Sequence, residues 1–323
     1  MKVKIIDPLG VEKTFKTKSE AAKFLGVNES SVRKAIKRGT LCKGYKVYLN
    51  EDLSKLEDTA SDFFRYLEEY APTITTDTKI PNGKHLCISD LHIPFVNEAI
   101  LLKIIKMIKD NQFVGLHILG DYLDLTSLSS YDFQKVNRGV TLSDEYTIGN
   151  FWLDMLTEYL QSNALKTWVS GNHEQRYSKY MNGSEAAKLG NALISPFDAL
   201  RLKERGFTVA QSYPDGYVQL GDIQLIHGIY LNSNHPKTHI QKLRSSCMYG
   251  NSHQQLTYSE NGLTAYNIGF LADRNAPIFS YTNRFEKANW REGFAVINYH
   301  NNETYVEMIE IKNNCFIYNN KLY

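Results

Sequence analysis

The stretch His85-Leu-Cys-Ile-Ser-Asp-Leu-His92 decides the fold predicted for this sequence. It begins with a short apolar run, of the kind that forms a buried strand, and ends in a polar segment that carries Asp90 and His92. A carboxylate and an imidazole two residues apart at the end of a strand can bind one cation from the same side. Alone, the Asp-x-His pair is a weak sign of a metal site, because most such pairs are polar residues of the surface.

Four more polar blocks follow this one, and each comes after an apolar run. In order, they are Gly120-Asp121-Tyr-Leu-Asp124, Gly171-Asn172-His173-Glu174, His227-Gly228 and Gly250-Asn251-Ser252-His253. Open α/β sheets place their ligand sites at the carboxyl ends of their strands. The five blocks together therefore predict one site, built at several strand ends of an α/β protein.

The order of the five blocks resembles the calcineurin-like metallophosphoesterases, a family whose pattern is Asp-x-His, Gly-Asp-x-x-Asp, Gly-Asn-His-Asp/Glu, a His often followed by Gly, and Gly-His-x-His. Four blocks match at every defining position, whereas the fifth has Asn251 in place of the first His of the family. The resemblance covers roughly residues 84–310. It implies an α/β fold in which two sheets and their outer helices form a four-layer α/β/β/α metallophosphoesterase sandwich.

The resemblance also implies a dinuclear metal site in which Asp121 bridges the two ions. The other ligands would be Asp90, His92 and His253 for the first ion, and Asn172, His227 and Asn251 for the second. His173 would face the substrate, where it protonates the leaving oxygen or stabilises charge, and Asp124 would orient the imidazole of His173. Donors of these types suit Mn, Fe, Zn or Ni better than a thiolate site would. Manganese is the metal we expect, with Fe, Zn, Ni or Mg as alternatives.

The chemistry explains why two ions are expected and why Asn251 is a weakness. A phosphodiester reacts slowly because its anionic oxygens repel a nucleophile, and two divalent ions neutralise that charge and activate a water. An amide oxygen is a poorer ligand than imidazole, so the second ion is expected to bind weakly unless another residue completes its shell. His235 and His239 are candidates, although an ordinary helix over Pro236–Ser246 explains both equally well. His117 lies within an apolar run and is interpreted as a core histidine.

Charge is unevenly distributed along the chain. The 323 residues carry a formal net charge of +2, yet residues 1–50 hold 12 lysines and arginines against four acidic residues, and the remainder holds 25 against 31. The first segment thus carries +8 and the rest −6. A basic module joined to a mildly acidic body indicates a module that binds nucleic acid, and a solvated basic face is the simpler alternative.

Residues 1–50 also carry the pattern of a hairpin, over Lys2–Phe15, followed by two short helices. Thr17-Lys-Ser-Glu20 is a capping box that opens a helix ending at Gly26, and Asn28 caps a second helix that runs to Gly39. The first helix would bury Ala21, Ala22 and Leu25, and the second Val32, Ala35 and Ile36. The outer face of the second helix is basic, with Arg33, Lys34, Lys37 and Arg38.

This pattern predicts a helix-turn-helix domain that offers its second helix to DNA. The segment resembles the small DNA-binding module appended to many homing endonucleases. A generic folding or dimerising module is the alternative.

The chain is predicted to have three parts. Residues 1–50 are the basic helix-turn-helix module, residues 51–82 are a linker helix and an extended Thr-rich linker, and residues 83–323 are the metallophosphoesterase catalytic domain. Within the last part, the patterns predict a helix over Asn97–Asp110, a strand over Phe113–Leu119, a loop over the site at 125–150, a helix at 151–162, a strand over Lys166–Ser170 and a second sheet in the C-terminal part.

Composition is that of an ordinary globular chain, with 42% hydrophobic and 22% charged residues. No apolar run reaches the length of a membrane span and the N-terminus lacks a signal-peptide core, so we expect a cytoplasmic protein without a membrane partner. The four cysteines lack CxxC spacing and are expected to be buried free thiols. The oligomeric state stays open.

Three functions fit these patterns. A DNA phosphodiesterase or nuclease combines the metal site with the basic module, since tethering to DNA raises the local substrate concentration. A phosphomonoesterase acting on nucleotides or phosphoproteins comes second, because the second and third blocks are close to those of phosphoprotein phosphatases, although Leu125-Thr126 stands where those have Arg-Gly. The third is a DNA-binding protein whose catalytic site has lost turnover through Asn251.

Overall fold

The computed structural model describes residues 2–6, 12–38, 40–43, 45–49, 79–129, 139–183 and 193–323. They belong to two compact units, Met1–Ala71 and Pro72–Tyr323. Three predicted features lie outside the described residues: the hairpin turn at Pro8-Leu-Gly10, the linker helix, and most of the Thr-rich segment after it. Residues 130–138 of the predicted loop also lie outside them.

The N-terminal unit packs two helices against a small antiparallel sheet. Its strands are β1 (Val3–Ile6), β2 (Glu12–Phe15) and β3 (Lys46–Leu49), and its helices are α1 (Lys18–Leu25) and α2 (Glu29–Arg38). The strand order is β2-β1-β3. The two predicted helices are present, but β3 was not predicted, because a four-residue strand that pairs with a distant partner gives little local signal.

Helix α1 begins and ends where its sequence signals predict. The Thr17 hydroxyl accepts a hydrogen bond from the backbone N–H of Glu20, and Gly26 closes the helix in the left-handed region with φ +61°. The Glu20 carboxylate accepts from the backbone N–H of Lys16 at 2.9 Å, one residue before the position that a capping box uses. The expected apolar residues of both helices lie in the core of this unit: Ala21, Ala22, Leu25, Val32 and Ala35 are buried, and Ile36 packs against them.

Two sheets form the centre of the C-terminal unit. The first contains β4 (Gly83–Ile88), β5 (Gly115–Ile118), β6 (Leu165–Val169), β7 (Phe207–Ala210), β13 (Gly293–His300) and β14 (Glu303–Glu310). The second contains β8 (Val218–Leu220), β9 (Ile223–Leu225), β10 (Ser246–Tyr249), β11 (Gln255–Glu260) and β12 (Leu263–Ile268). Near the C-terminus, β15 (Ile317–Tyr318) pairs with β16 (Lys321–Leu322).

The order of the strands places several strand ends along one edge. The first sheet has the order β14-β13-β4-β5-β6-β7, and the second has β11-β12-β10-β9-β8. Strands β4 to β7 run parallel, and so do β9, β10 and β12. The loops that follow β4, β5, β6, β9 and β10 are those that carry the five polar blocks.

The helices of this unit are α3 (Glu98–Asn111), α4 (Leu142–Thr157), α5 (Gln175–Met181), α6 (Pro196–Ala199), α7 (His235–Leu243) and α8 (Arg284–Lys287), with 3₁₀ turns at Thr126–Leu128 and Pro277–Phe279. The helix predicted after the first block is confirmed to within one residue at each end. Its first turn is capped by the side chain of Asn97, which accepts from the N–H of Ile100.

The bounds predicted for the loop at 125–150 and the helix at 151–162 are wrong. Helix α4 already begins at residue 142 and ends at Thr157. It starts with a capping box in which Thr141 and Asp144 each accept from the backbone N–H of the other. Aspartate in place of the more usual Glu or Gln, and the buried Glu145 and Gly149 that interrupt the apolar stripe, hide this start in the sequence.

Clusters of buried hydrophobic side chains show how these elements pack. Cys87 and Val169 from the first sheet share one cluster with Leu225 and Met248 from the second, so the two sheets face each other. Helices α3 and α4 contribute to a larger cluster with residues of β4 and β5. Helix α7 packs through Ile240 against residues of β10 and β12. The unit is thus a mixed α/β structure with several sheets and helices.

Two smaller expectations can be compared with the structure. The four cysteines are free thiols; Cys42, Cys87 and Cys247 are buried and Cys315 is half-buried. Within the described ranges, no helix is both long and apolar enough to cross a bilayer.

Candidate metal centre

The loops after the parallel strands bring the predicted site residues together. Asp90 follows β4 and is linked to the next loop by a hydrogen bond from its backbone N–H to the carbonyl of Gly120 (3.1 Å). The N–H of His92 likewise donates to the carbonyl of Asp121 (2.9 Å). In the second sheet, the N–H of Gly250 donates to the carbonyl of His227 (3.0 Å). Neighbouring strands thus fix the relative positions of neighbouring blocks.

Several of these residues have left-handed backbone. The φ angles are +54° at Asp90, +47° at His92, +48° at Asp121, +62° at Asn251 and +57° at His253. A residue other than glycine in this region costs on the order of 1 kcal/mol or more, and such positions cluster at functional sites. The strained turns aim the side chains into one space.

The first half of the centre consists of Asp90, His92 and His253, all buried. Nε2 of His253 lies 3.4 Å from Oδ1 of Asp90 and 3.2 Å from Nε2 of His92. Nδ1 of His92 lies 3.1 Å from Oδ1 of Asp124, so the ring donates there and Nε2 keeps a lone pair. Ligand atoms bound to one ion at about 2.1 Å lie roughly 3.0 to 3.4 Å apart, which is close to this geometry.

The second half consists of Asp121, Asn172 and His227. Nδ1 of His227 donates to the carbonyl of Leu119 at 2.7 Å, which leaves a lone pair on Nε2. That nitrogen lies 3.3 Å from Oδ2 of Asp121 and 3.1 Å from Oδ1 of Asn172. An acceptor that faces two oxygen acceptors needs a cation or a proton between them. The donor set therefore fits a divalent ion.

The electrostatics of the second half agree with that requirement. Burial alone would lower the pKa of His227, but the Asp121 carboxylate outweighs it and raises that pKa to about 10. Burial alone would raise the pKa of Asp121, but His173 and His227 outweigh it and lower the pKa far below its usual value. The pocket thus favours positive charge opposite a carboxylate that stays ionised.

Asp121 lies between the two halves. Its Oδ2 is 4.0 Å from Nε2 of His92 and 3.3 Å from Nε2 of His227. A Cβ atom at Gly171 would lie only 2.1 Å from Oδ1 of Asp121, so the glycine of the third block leaves room for this carboxylate. Asp121 thus lies within 4.0 Å of an imidazole nitrogen of each half.

His173 and Asp124 lie beside the two halves. Nδ1 of His173 is 3.1 Å from Oδ1 of Asp124 and 2.9 Å from its carbonyl, while Nε2 is 3.7 Å from Oδ2 of Asp121. Burial alone would lower the pKa of His173, but Asp121 and Asp124 outweigh it and raise that pKa. His173 is 9% exposed, so its ring can be reached from the site. This placement suits a proton donor oriented by Asp124.

Asn251 is brought to the site, but its side chain acts as a donor. Nδ2 of Asn251 donates to the carbonyl of Gly228 at 2.8 Å. Its backbone N–H donates to both carboxylate oxygens of Asp90, at 3.1 and 2.9 Å. Asn251 therefore holds Asp90 and the loop after His227 in place, in addition to any role as a ligand.

The two histidines considered as replacements lie elsewhere. Nε2 of His239 accepts from the backbone N–H of Ile229 at 3.0 Å, and Nδ1 of His235 is 2.8 Å from the hydroxyl of Tyr249. Both belong to α7, so the ordinary-helix explanation holds for them. His117 is a buried core residue as predicted, bonded to His85 and to Thr167.

Two buried glutamates were missed as functional residues. Glu174 accepts backbone N–H groups from Gly171, Asp121 and Tyr122, at 2.8, 3.0 and 2.9 Å, and so ties the second block to the third. Glu145 accepts from the N–H groups of Leu125 and Thr126, at 2.6 and 3.0 Å. Glu174 belongs to the third block and could have been singled out there. Glu145 lay in a segment predicted to be a loop and gave no such signal.

An aromatic wall was missed as well. The ring of His253 stacks on Phe270, with centroids 4.9 Å apart, and meets Trp290 edge-on at 4.6 Å. Phe279 meets the rings of both His253 and His92. Apolar walls exclude water and strengthen the electrostatic interactions of the centre.

The predicted DNA-binding residues lie on α2 of the N-terminal unit, where Arg33, Lys34, Lys37 and Arg38 are all exposed. Arg33 forms an ion pair with Glu29 one turn away, at 2.6 Å. Helix α2 thus presents a basic face, part of which is neutralised by its own first turn.

Comparison with known proteins identifies a family whose model this chain matches. The family model described as calcineurin-like phosphoesterase matches residues 83–278, well over half of the chain. All five polar blocks fall within the matched residues. No curated protein matches the chain by sequence.

Several solved structures are similar to this chain. They include Vps29 from Chaetomium thermophilum (12% identity, 72% of this chain and 92% of that chain, TM-score 0.39) and Vps29 from Entamoeba histolytica complexed with zinc (12%, 74% and 96%, TM-score 0.38). A predicted phosphoesterase from Streptococcus pneumoniae is another (12%, 76% and 98%, TM-score 0.32). At these scores the likenesses do not bear on substrate or partners.

Proposed function

Since this chain belongs to the calcineurin-like phosphoesterase family, a membership that implies a metal-dependent phosphoester hydrolase, we propose that it is a DNA phosphodiesterase or nuclease with a dinuclear metal site. The observation that carries the proposal is the Nε2 lone pair of His227, which faces Asp121 and Asn172 at 3.3 and 3.1 Å. Three ligand atoms converge there, so that a cation or a proton must lie among them, and a second group of ligand atoms converges at Asp90 and its two histidines.

In this proposal each half would hold one divalent ion, and Asp121 would serve as a ligand to both. Such ions would supply positive charge against the phosphate and activate water. Oxygen and imidazole donors suit first-row divalent metals, and manganese is the proposed metal, with Fe, Zn, Ni or Mg as alternatives. The protein contributes rigid strand ends, and hydrogen bonds to Asp124 and Leu119 that fix the rings of His92 and His227. A four-layer sandwich is the proposed architecture, and the facing sheets with helices packed on both support it.

His173 is the proposed general acid. Nδ1 faces Asp124, so the proton for the leaving oxygen is held at Nε2, on the side of Asp121. As the bond from phosphorus to the leaving oxygen breaks, that proton moves to the oxygen. Asp124 orients the ring and stabilises its charged form.

DNA is the proposed substrate because of the N-terminal unit. Helix α2 exposes four basic residues, and residues 1–50 carry a net charge of +8. A helix-turn-helix domain with α2 as the helix that enters the groove accounts for both features. Neutralised phosphates release counterions, so binding through α2 would be strongly salt-dependent.

A second candidate function rests on Asn251. Because its amide group donates to the carbonyl of Gly228, the second ion has few strong ligands. A chain that binds DNA but has lost turnover would retain α2 and show a single filled metal position.

A screen of the full-length protein tests these functions. Mn²⁺, Fe²⁺, Zn²⁺, Ni²⁺ and Mg²⁺ are each combined with long DNA, an aryl phosphodiester and an aryl phosphomonoester. The proposal expects cleavage of DNA and of the diester. Preference for the monoester would make the chain a phosphomonoesterase, and tight DNA binding without hydrolysis of any substrate would support the second candidate.

A further inference from the structure

Arg176, in the first turn of α5, lies against the proposed general acid. Its Nη2 is 3.1 Å from Nε2 of His173, and its Nη1 donates to the carbonyl of Asp124 at 2.7 Å. The side chain is only 13% exposed. The hydrogen bond to the carbonyl therefore holds a guanidinium group beside the nitrogen that is proposed to protonate the leaving oxygen. Once that nitrogen carries its proton, the two groups face each other as donors, and an acceptor oxygen can satisfy both.

Among the described residues, Arg176 has one carboxylate partner. Oδ2 of Asp124 lies 3.5 Å from its Nη1. Both oxygens of that carboxylate are already engaged, Oδ1 with His92 and His173 and Oδ2 with the hydroxyl of Thr126. A largely buried guanidinium anchored mainly on a neutral carbonyl favours the approach of a further anion.

We propose that Arg176 is a catalytic residue that donates, together with His173, to the leaving oxygen of the phosphoester. This inference rests on the proposed function. An oxygen that accepts from Nε2 of His173 would also lie within reach of Nη2 of Arg176, because the two nitrogens are 3.1 Å apart.

The step is balanced without a proton from arginine. The electron pair of the breaking bond between phosphorus and oxygen stays on the leaving oxygen. The proton comes from His173, while Arg176 keeps its own protons and stabilises the developing negative charge through a charge-assisted hydrogen bond. Arg176 should therefore matter most when the leaving oxygen is strongly basic.

The test uses Arg176→Ala and a series of methyl aryl phosphodiesters whose phenols differ in acidity. Loss of a hydrogen bond to a charged group should lower kcat about 10- to 100-fold for phenol and about threefold or less for a nitrophenol. Arg176→Lys keeps the positive charge but not the planar guanidinium group, so its kcat should lie between those of the wild type and Arg176→Ala. Lys179→Ala removes an exposed charge from the same helix and should leave every rate unchanged.

An equal loss for all leaving groups would overturn the proposal, because a contact to the leaving oxygen must matter less as that oxygen becomes less basic. So would unchanged rates in Arg176→Ala.

Binding of inorganic phosphate, measured by calorimetry, gives a second readout that does not need turnover. Wild type should bind phosphate at least about tenfold more tightly than Arg176→Ala. If Arg176→Ala binds phosphate more weakly than the wild type, and the wild type hydrolyses none of the substrates, the anion contact is supported and the proposed function is rejected. Equal phosphate affinity in both proteins would reject the contact, whatever the wild type hydrolyses.

Discussion

The two halves of the candidate metal centre share a scaffold but not a donor set. The first half offers one carboxylate and two imidazoles, with ligand atoms 3.2 to 3.9 Å apart. The second half offers one imidazole, one carboxylate and the amide oxygen of Asn172. The neighbouring amide of Asn251 donates to a carbonyl instead. Since imidazole is the stronger donor for cations from Mn to Zn, the first half should bind its ion more tightly.

Loops of the same kind can therefore build two half-sites that differ in their affinity for a metal ion. Loops at neighbouring strand ends supply both halves, and each half contains a histidine whose other nitrogen is hydrogen-bonded to the protein. What differs is that the second half has one imidazole where the first has two, and that the side chain of Asn251 in the fifth block donates to a carbonyl. Substitutions in either half test whether the two halves differ in this way.

Asp121→Ala should have the largest effect, because its carboxylate lies between the halves, 4.0 Å from His92 and 3.3 Å from His227. We expect both ions to be lost and hydrolysis to be abolished, measured as metal content after gel filtration and as rate. Asp215→Ala, at an exposed position, is the control. A variant of Asp121 that keeps both ions would contradict the bridging position.

His173→Ala should separate catalysis from metal binding. We expect about a 10²- to 10⁴-fold loss of rate, the usual contribution of general acid catalysis, with metal content unchanged. Substrates with good leaving groups should lose least. Loss of either ion would instead make His173 part of the metal-binding set.

Replacement of one histidine in each half by alanine compares the metal affinities of the two halves directly. His253→Ala should weaken the tighter ion, because it removes an atom 3.2 Å from Nε2 of His92 and 3.4 Å from Asp90. His227→Ala should abolish binding of the weaker ion and leave the tighter one. Metal titrations of the two variants test this, and identical titrations would mean that the halves are not distinct sites.

Replacement of Lys34, Lys37 and Arg38 together by alanine should alter DNA cleavage without changing either half. If each residue contacts one phosphate, the slope of log affinity against log salt should fall by about three. A matched triple of Lys106, Lys203 and Lys242, exposed lysines of the other unit, is the control. Equal effects of the two triples would remove DNA recognition from α2.

The sequence identified residues that the structure brings close together, because each block lies next to a strand end. Asp90, His92 and Asp121 each have left-handed backbone directly after a strand, and the two strands that precede them, β4 and β5, are neighbours in one sheet. Helix α3 was predicted for a similar reason, since its apolar spacing and its cap at Asn97 are local signals.

The features that were missed depend on contacts between distant segments. Trp290 meets His253 only after β13 is placed next to β4. Glu145 stabilises the loop of Leu125 and Thr126 because that loop folds onto it and donates two backbone N–H groups to its carboxylate. Neither contact has a spacing or motif that a single sequence displays.

The difference in metal affinity between the two halves is tested most directly by a titration with Mn²⁺ of metal-free, full-length protein. The wild type and Asn251→His are both titrated. We predict two ions per chain in the wild type, one tight and one weak, with hydrolysis rising as the weak ion binds. In Asn251→His only the weak step should tighten, because an imidazole replaces an amide beside His227. A single ion in both proteins, or two equal ions unaffected by the substitution, would contradict an uneven dinuclear centre.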